Sequence, residues 1–143
     1  MDTQDERIVG KTRDVGWQIG VRRILPIDYK DAWRLITSPE GISLWLGAGP
    51  NLDLSASGAY TLDDGANGDV RVFKPNSHLR LTWRPPSWPR HSTIQVRVIS
   101  KDDRTVIAFH QEGMPGPEER EMRRTFFTAA LDALDAKCEN PLH

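Results

Sequence analysis

The sequence predicts an α+β domain in which a curved antiparallel sheet of about six to seven strands wraps a long C-terminal helix, with two short helices after the first strand. Three observations carry that prediction. Apolar residues recur at period two in segment after segment between residues 17 and 112. Helical spacing with capping residues appears once near the start, over residues 28–45. A single long helical pattern, about residues 118–137, closes the chain, and its apolar positions are too widely spread for a helix lying on one flat sheet.

The elements follow in order. Trp17, Ile19 and Val21 alternate with Gln18, Gly20 and Arg22, and Pro26 ends that strand because it lacks the ladder donor. Asp28 is placed to cap a helix whose buried face is Ala32, Trp33, Leu35 and Ile36. Ser38 and Pro39 suit the N-cap and first turn of a second helix, which reaches Trp45 and ends in Gly47-Ala48-Gly49-Pro50. Strands then come at Tyr60 and Leu62, at Val70 and Val72, at Leu79, Leu81 and Trp83, at Ile94, Val96 and Val98, and from Val106 to Glu112. The turns between them are short, which argues a meander of antiparallel neighbours with one dry face each. After residues 113–117, Glu118, Glu119 and Glu121 open the last helix favourably for its dipole. Phe127, Ala130, Leu131 and Leu134 mark its apolar face, widened by Met122, Phe126 and Ala133. Residues 1–14 read as a mobile lead-in with at most a frayed helix around Glu6–Lys11, residues 15–138 as the domain and residues 139–143 as a tail.

Composition excludes several function classes. The 143 residues are 38% hydrophobic and 27% charged with a formal charge of −1, which gives no broad attraction to nucleic acid or anionic membranes. Neither a signal-peptide pattern nor an apolar run of about 20 residues is present, so no membrane insertion and a cytoplasmic location are expected. The lone Cys138 has no partner for an internal disulfide, which fits a reducing compartment. His78, His91, His110 and His143 are scattered without metal-ligand spacing, and no cofactor motif is found.

The order of elements, with "VRRILPIDYKDAWRLITSPEGISLWLG", "GDVRVFKPNSHLRLTW", "STIQVRV" and "FHQEG" placed on it, resembles the START/polyketide-cyclase (SRPBCC) superfamily. More narrowly, the chain is similar to bacterial proteins resembling the C-terminal domain of the activator of heat-shock protein 90 ATPase. The marks are Trp33, Ser38-Pro39-Glu40-Gly41, Trp45 and Leu79-Arg80-Leu81-Thr82-Trp83. Many relatives have Gly-Trp where Phe126-Phe127 stands and a histidine where Gln111 stands. The resemblance implies a helix-grip fold with a cavity between helix and sheet, and members that bind lipids, sterols, hormones or polyketides.

If Ile107 and Phe109 face inward, alternation turns Gln111 inward and His110 outward; the reverse register makes His110 and Glu112 a candidate base and its orienting group. The candidate ligand-binding residues are Trp45, Leu81, Trp83, Ile107, Phe109, Gln111, Phe127 and Leu131, with no catalytic or metal-ligating residue assigned. Trp33 and Trp83 read first as packing, and Trp45 as packing or pocket lining. Trp88, in the stiff segment of residues 85–89, reads as a ring laid over prolines or as a lid or docking residue. Arg23 reads as a surface ion pair or a contact at the cavity edge, and Arg120, Arg123 and Arg124 as a solvated helix face. The expected partner is an apolar small molecule; a chaperone or other protein is the alternative, a cyclase-like or hydrolase-like enzyme the third reading, and the chain is expected as monomer or homodimer.

Overall fold

The computed structural model describes residues 11–12, 16–49 and 52–139. Seven strands form one antiparallel sheet: β1 (Lys11–Thr12), β2 (Gly16–Leu25), β3 (Gly58–Thr61), β4 (Asn67–Lys74), β5 (His78–Trp83), β6 (Ser92–Lys101) and β7 (Arg104–Met114). The spatial order is β1-β2-β7-β6-β5-β4-β3, so the first long strand and the last are neighbours. Helices α1 (Tyr29–Thr37) and α2 (Pro39–Trp45) make the crossing from β2 toward the far edge, and α3 (Pro117–Glu139) packs against β2, β7 and α2. The expected frayed helix over residues 6–11 lies outside the described residues except at Lys11, which instead pairs as a strand with Trp17.

Local chemistry accounts for these elements. The Asp28 side chain accepts the Asp31 backbone N–H at 2.8 Å to cap α1, and the Ser38 hydroxyl oxygen accepts that of Gly41 at 3.0 Å to cap α2. Pro39 occupies the first turn of α2, where its missing N–H costs nothing. Two tight turns use residues that tolerate a left-handed backbone, Asn76 (φ 63°) between β4 and β5 and Asp102 (φ 58°) between β6 and β7. Along β6 and β7 burial alternates, with Ile94, Val96 and Val98 inward on one and Ile107, Phe109 and Gln111 inward on the other.

The core lies where sheet and α3 meet. Phe127, Ala130, Leu131 and Leu134 are buried, as their spacing predicts, whereas Met122 is 65% exposed. Met122 therefore does not widen the apolar arc; it stands on the solvent side of the helix. Trp45 is fully buried, and its indole N–H donates to the Ile36 carbonyl at 2.8 Å, locking α2 onto the end of α1.

Gly68 of β4 is required by close approach: a Cβ there would overlap the Thr82 carbonyl and lie 2.8 Å from the Tyr60 hydroxyl. Gly68→Ala is expected to destabilise by about 1–3 kcal/mol in urea unfolding, the usual cost of overpacking. Gly20→Ala, whose added Cβ meets nothing nearer than 3.8 Å, should stay within about 0.5 kcal/mol of the parent.

Candidate functional site

Strand β7 carries Gln111 to the inner face two residues beyond Phe109, and the amide is fully buried. Its Nε2 donates to the Ser92 hydroxyl at 2.8 Å, and the Ser92 hydroxyl donates in turn to the Trp83 carbonyl at 2.7 Å. Its Oε1 accepts from Arg123 Nε at 2.8 Å. The chain of bonds fixes which way the amide faces, because the donor end is used by Ser92 and the oxygen must meet the cation.

Arg123 is the residue that sequence reasoning missed. It does not lie on a solvated helix face; it is 7% exposed, with its guanidinium carbon 4.1 Å from the Trp83 ring, 4.4 Å from Phe126 and 4.8 Å from Phe127. Helical spacing held the signal, since residue 123 falls four before Phe127 and seven before Ala130 on the same face. Burial pushes its pKa down to about 10, with Tyr60 and Asp64 opposing the shift, so it remains a cation at neutral pH. Aromatic faces recover part of the hydration the cation gives up, but Nη2 has no hydrogen-bond acceptor, and neither has the indole N–H of the touching Trp83. Two buried donors thus stand together with no acceptor among the described residues.

Tyr60, on β3, closes the other side. Its buried hydroxyl donates to the Thr82 carbonyl, and desolvation raises its pKa above the ordinary phenol range against the pull of Arg123. A cleft of about 390 Å³ beside β3 is lined by Tyr60 and Val70 among others, and a shallow apolar groove of about 810 Å³ along α3 is lined by Met122, Thr125 and Phe126 among others. Arg123 lines neither; it touches Phe126, which lines the groove.

The other candidates separate into groups. Trp83, Gln111 and Phe127 meet at Arg123, whereas Trp45 and Phe109 continue the aromatic row away from it: Phe127 stacks on Phe109 with centroids 4.9 Å apart, and Phe109 meets Trp45 at 5.8 Å. Leu81, Ile107 and Leu131 are buried in the same core. His110 faces the opposite side of the sheet, 3.0 Å from Gln18 Oε1 and 3.9 Å from Glu112, so the reversed register is excluded. Trp88 is buried, and its ring meets Trp83 edge-on with centroids 5.1 Å apart. Arg23 pairs with Asp132 of α3 at 2.6 Å. Arg120 is also largely buried and donates to the Gln18 carbonyl at 2.8 Å, which leaves Arg124, paired with Glu121, as the solvated member of the three.

Residues 27–139 match the family described as Activator of Hsp90 ATPase homolog 1-like protein. The chain belongs to that family. Among solved structures, CalU16 from Micromonospora echinospora superposes with a TM-score of 0.72 at 23% identity, over 84% of this chain and 74% of that one. PFC0360w, an HSP90 activator from Plasmodium falciparum, superposes with a TM-score of 0.59 at 19% identity, over 71% and 76%. At such identities the likeness shows the fold alone, a helix-grip arrangement of sheet and long C-terminal helix. The Schizosaccharomyces pombe protein C1711.08 is 31% identical over 84 residues, 57% of this chain but 25% of its own length, so this chain spans about a quarter of that relative.

The two titrating groups of the cluster act in opposite directions at alkaline pH. Tyr60 is raised in the fold, so its contribution is complete below pH 10 and is lost as pH rises further. Arg123 is lowered to about 10, so the cost of burying its charge is relieved as pH rises through and beyond that value. In urea unfolding between pH 9 and 11, Tyr60→Phe should therefore lose stability less steeply than the parent, and Arg123→Met more steeply.

Proposed function

We propose that this domain binds a small, largely apolar molecule where the first half of α3 meets β3 and the ends of β5, β6 and β7. The observation that carries this reading is the pair of unsatisfied donors, Arg123 Nη2 and Trp83 Nε1, buried among aromatic rings. A few convergent polar groups in a mainly apolar wall are the usual composition of a ligand site. A buried donor without an acceptor costs about 1–3 kcal/mol, a cost that a bound acceptor removes. The cluster favours binding over catalysis. An amide, an indole, an aliphatic hydroxyl, a phenol raised above its ordinary range and an arginine near 10 provide no base that works near neutral pH.

Thermal unfolding of the purified protein against fatty acids, sterols and aromatic polyketides tests this. A ligand at a hundred times its dissociation constant stabilises by about 2.7 kcal/mol, which raises Tm by several degrees in a domain of this size. The expected result is such a rise with at least one class, accompanied by a change in tryptophan emission from Trp83. Unchanged Tm with every class overturns the reading.

A second reading is supported by the exposed Met122 in the apolar groove of α3 and by the family description, which names an activator of a chaperone ATPase. On that reading α3 is a docking face for the chaperone. The purified chaperone's ATPase rate should rise on adding this domain and should not rise with Met122→Glu, a change at an exposed position expected to leave Tm within a few degrees. Absence of stimulation by the parent rejects it.

A further inference from the structure

We propose that the occupant of the Arg123 site carries a carboxylate, so that the ligand is a monoanionic carboxylic acid with an apolar body; this rests on the small-molecule reading above. The argument starts from charge. Arg123 is a cation at neutral pH with its side chain more than nine-tenths buried, and its one hydrogen-bond partner among the described residues, Gln111, is neutral. The acidic groups nearby are engaged elsewhere. Asp64 accepts the Ala66 backbone N–H at 2.9 Å, and Glu121 is held by Arg120 and Arg124. One positive charge is therefore left in a low-dielectric setting without a counter-charge in contact, a condition that buried arginines do not ordinarily meet.

Hydrogen-bond geometry narrows the anion. The guanidinium of Arg123 spends only its Nε–H, on Gln111, and its buried Nη2 and the indole N–H of Trp83 have no acceptor; the two side chains touch, the guanidinium carbon lying 4.1 Å from the ring. A carboxylate brings one charge to one cation and two coplanar oxygens that suit the planar edge of a guanidinium. A phosphate monoester brings a second charge, which no further buried cation among the described residues would offset. The Tyr60 hydroxyl already donates to the Thr82 carbonyl. The relay Arg123–Gln111–Ser92–Trp83 carbonyl prevents the amide from turning its oxygen away from the cation, which would leave Arg123 with no partner at all. Around the head group the walls are Trp83, Phe126 and Phe127, so the remainder of the ligand is apolar, and both aliphatic and aromatic acids meet that condition.

The test compares acids with their own neutral derivatives on the full chain at pH 7 by isothermal calorimetry, using decanoic acid with methyl decanoate and 2-naphthoic acid with 2-naphthamide. The expected result is that, in at least one pair, the acid binds about tenfold to a hundredfold more tightly, the size of one or two charge-assisted hydrogen bonds. That preference should vanish in Arg123→Met and survive in part in Arg123→Lys. Side-chain nitrogen NMR of the unaltered protein gives a second readout that needs no variant: the acid should move the Arg123 Nη and Trp83 Nε1 resonances, and the neutral partner should not. Equal affinity for acid and neutral derivative overturns the carboxylate inference and leaves the small-molecule reading standing. A preference for the acid that persists in Arg123→Met likewise overturns it, because the anion is then held elsewhere. No binding by any of the four overturns the inference, and the thermal panel then decides separately whether the small-molecule reading survives.

Discussion

The stack of Phe109 on Phe127 joins the strand with the most central role to the helix that the sheet encloses. Strand β7 is hydrogen-bonded on both sides, to β2 and to β6, so a ring projecting from it is fixed by two ladders at once. Phe127 meets that ring from α3, and Trp45 meets it from α2, so all three layers refer to one side chain. Offset aromatic contacts of this kind contribute about 0.5–1.5 kcal/mol beyond the area they bury. Their larger effect here is positional: once Phe127 is seated, the azimuth of α3 is set, and with it the direction of every side chain on the helix.

Arg123 follows from that azimuth. One helical turn before Phe127, it is carried inward among aromatic neighbours and left 7% exposed. The buried cation is held by three ring faces and a single amide oxygen. Each replaces part of a hydration shell, and none supplies opposite charge. The arrangement is costly for folding, because a buried cation regains only part of its hydration from these neighbours.

The strands were legible because the sheet has one dry face and one wet one, and that contrast survives as period-two alternation in Leu79, Leu81 and Trp83 or Ile94, Val96 and Val98. The caps Asp28 and Ser38 were legible because the chemistry that ends a helix is local. Arg123 was hidden for the opposite reason. Flanked by Arg120 and Arg124 and preceded by glutamates, it has the surroundings of a solvated face, and only its spacing from Phe127 and Ala130 says otherwise. Hydrophobic scales place arginine outside, so a spacing argument that counts only apolar positions passes over it. Met122 fails in mirror image, an apolar residue counted as buried although it projects from the solvent side. Trp88 was ambiguous because its neighbour, Trp83, is fixed by tertiary packing and not by the prolines beside it.

Trp88 comes from the loop between β5 and β6, where Arg84 Nη1 donates to its carbonyl at 3.2 Å, and it backs Trp83 from behind. One wall of the Arg123 cluster is thereby braced by a segment outside the sheet ladder and away from the Phe109–Phe127 stack. The orientation of Trp83 thus answers to two independent supports, the ladder of its own strand and a ring held by a loop, so that a loop far in sequence from α3 shares in setting the surroundings of Arg123.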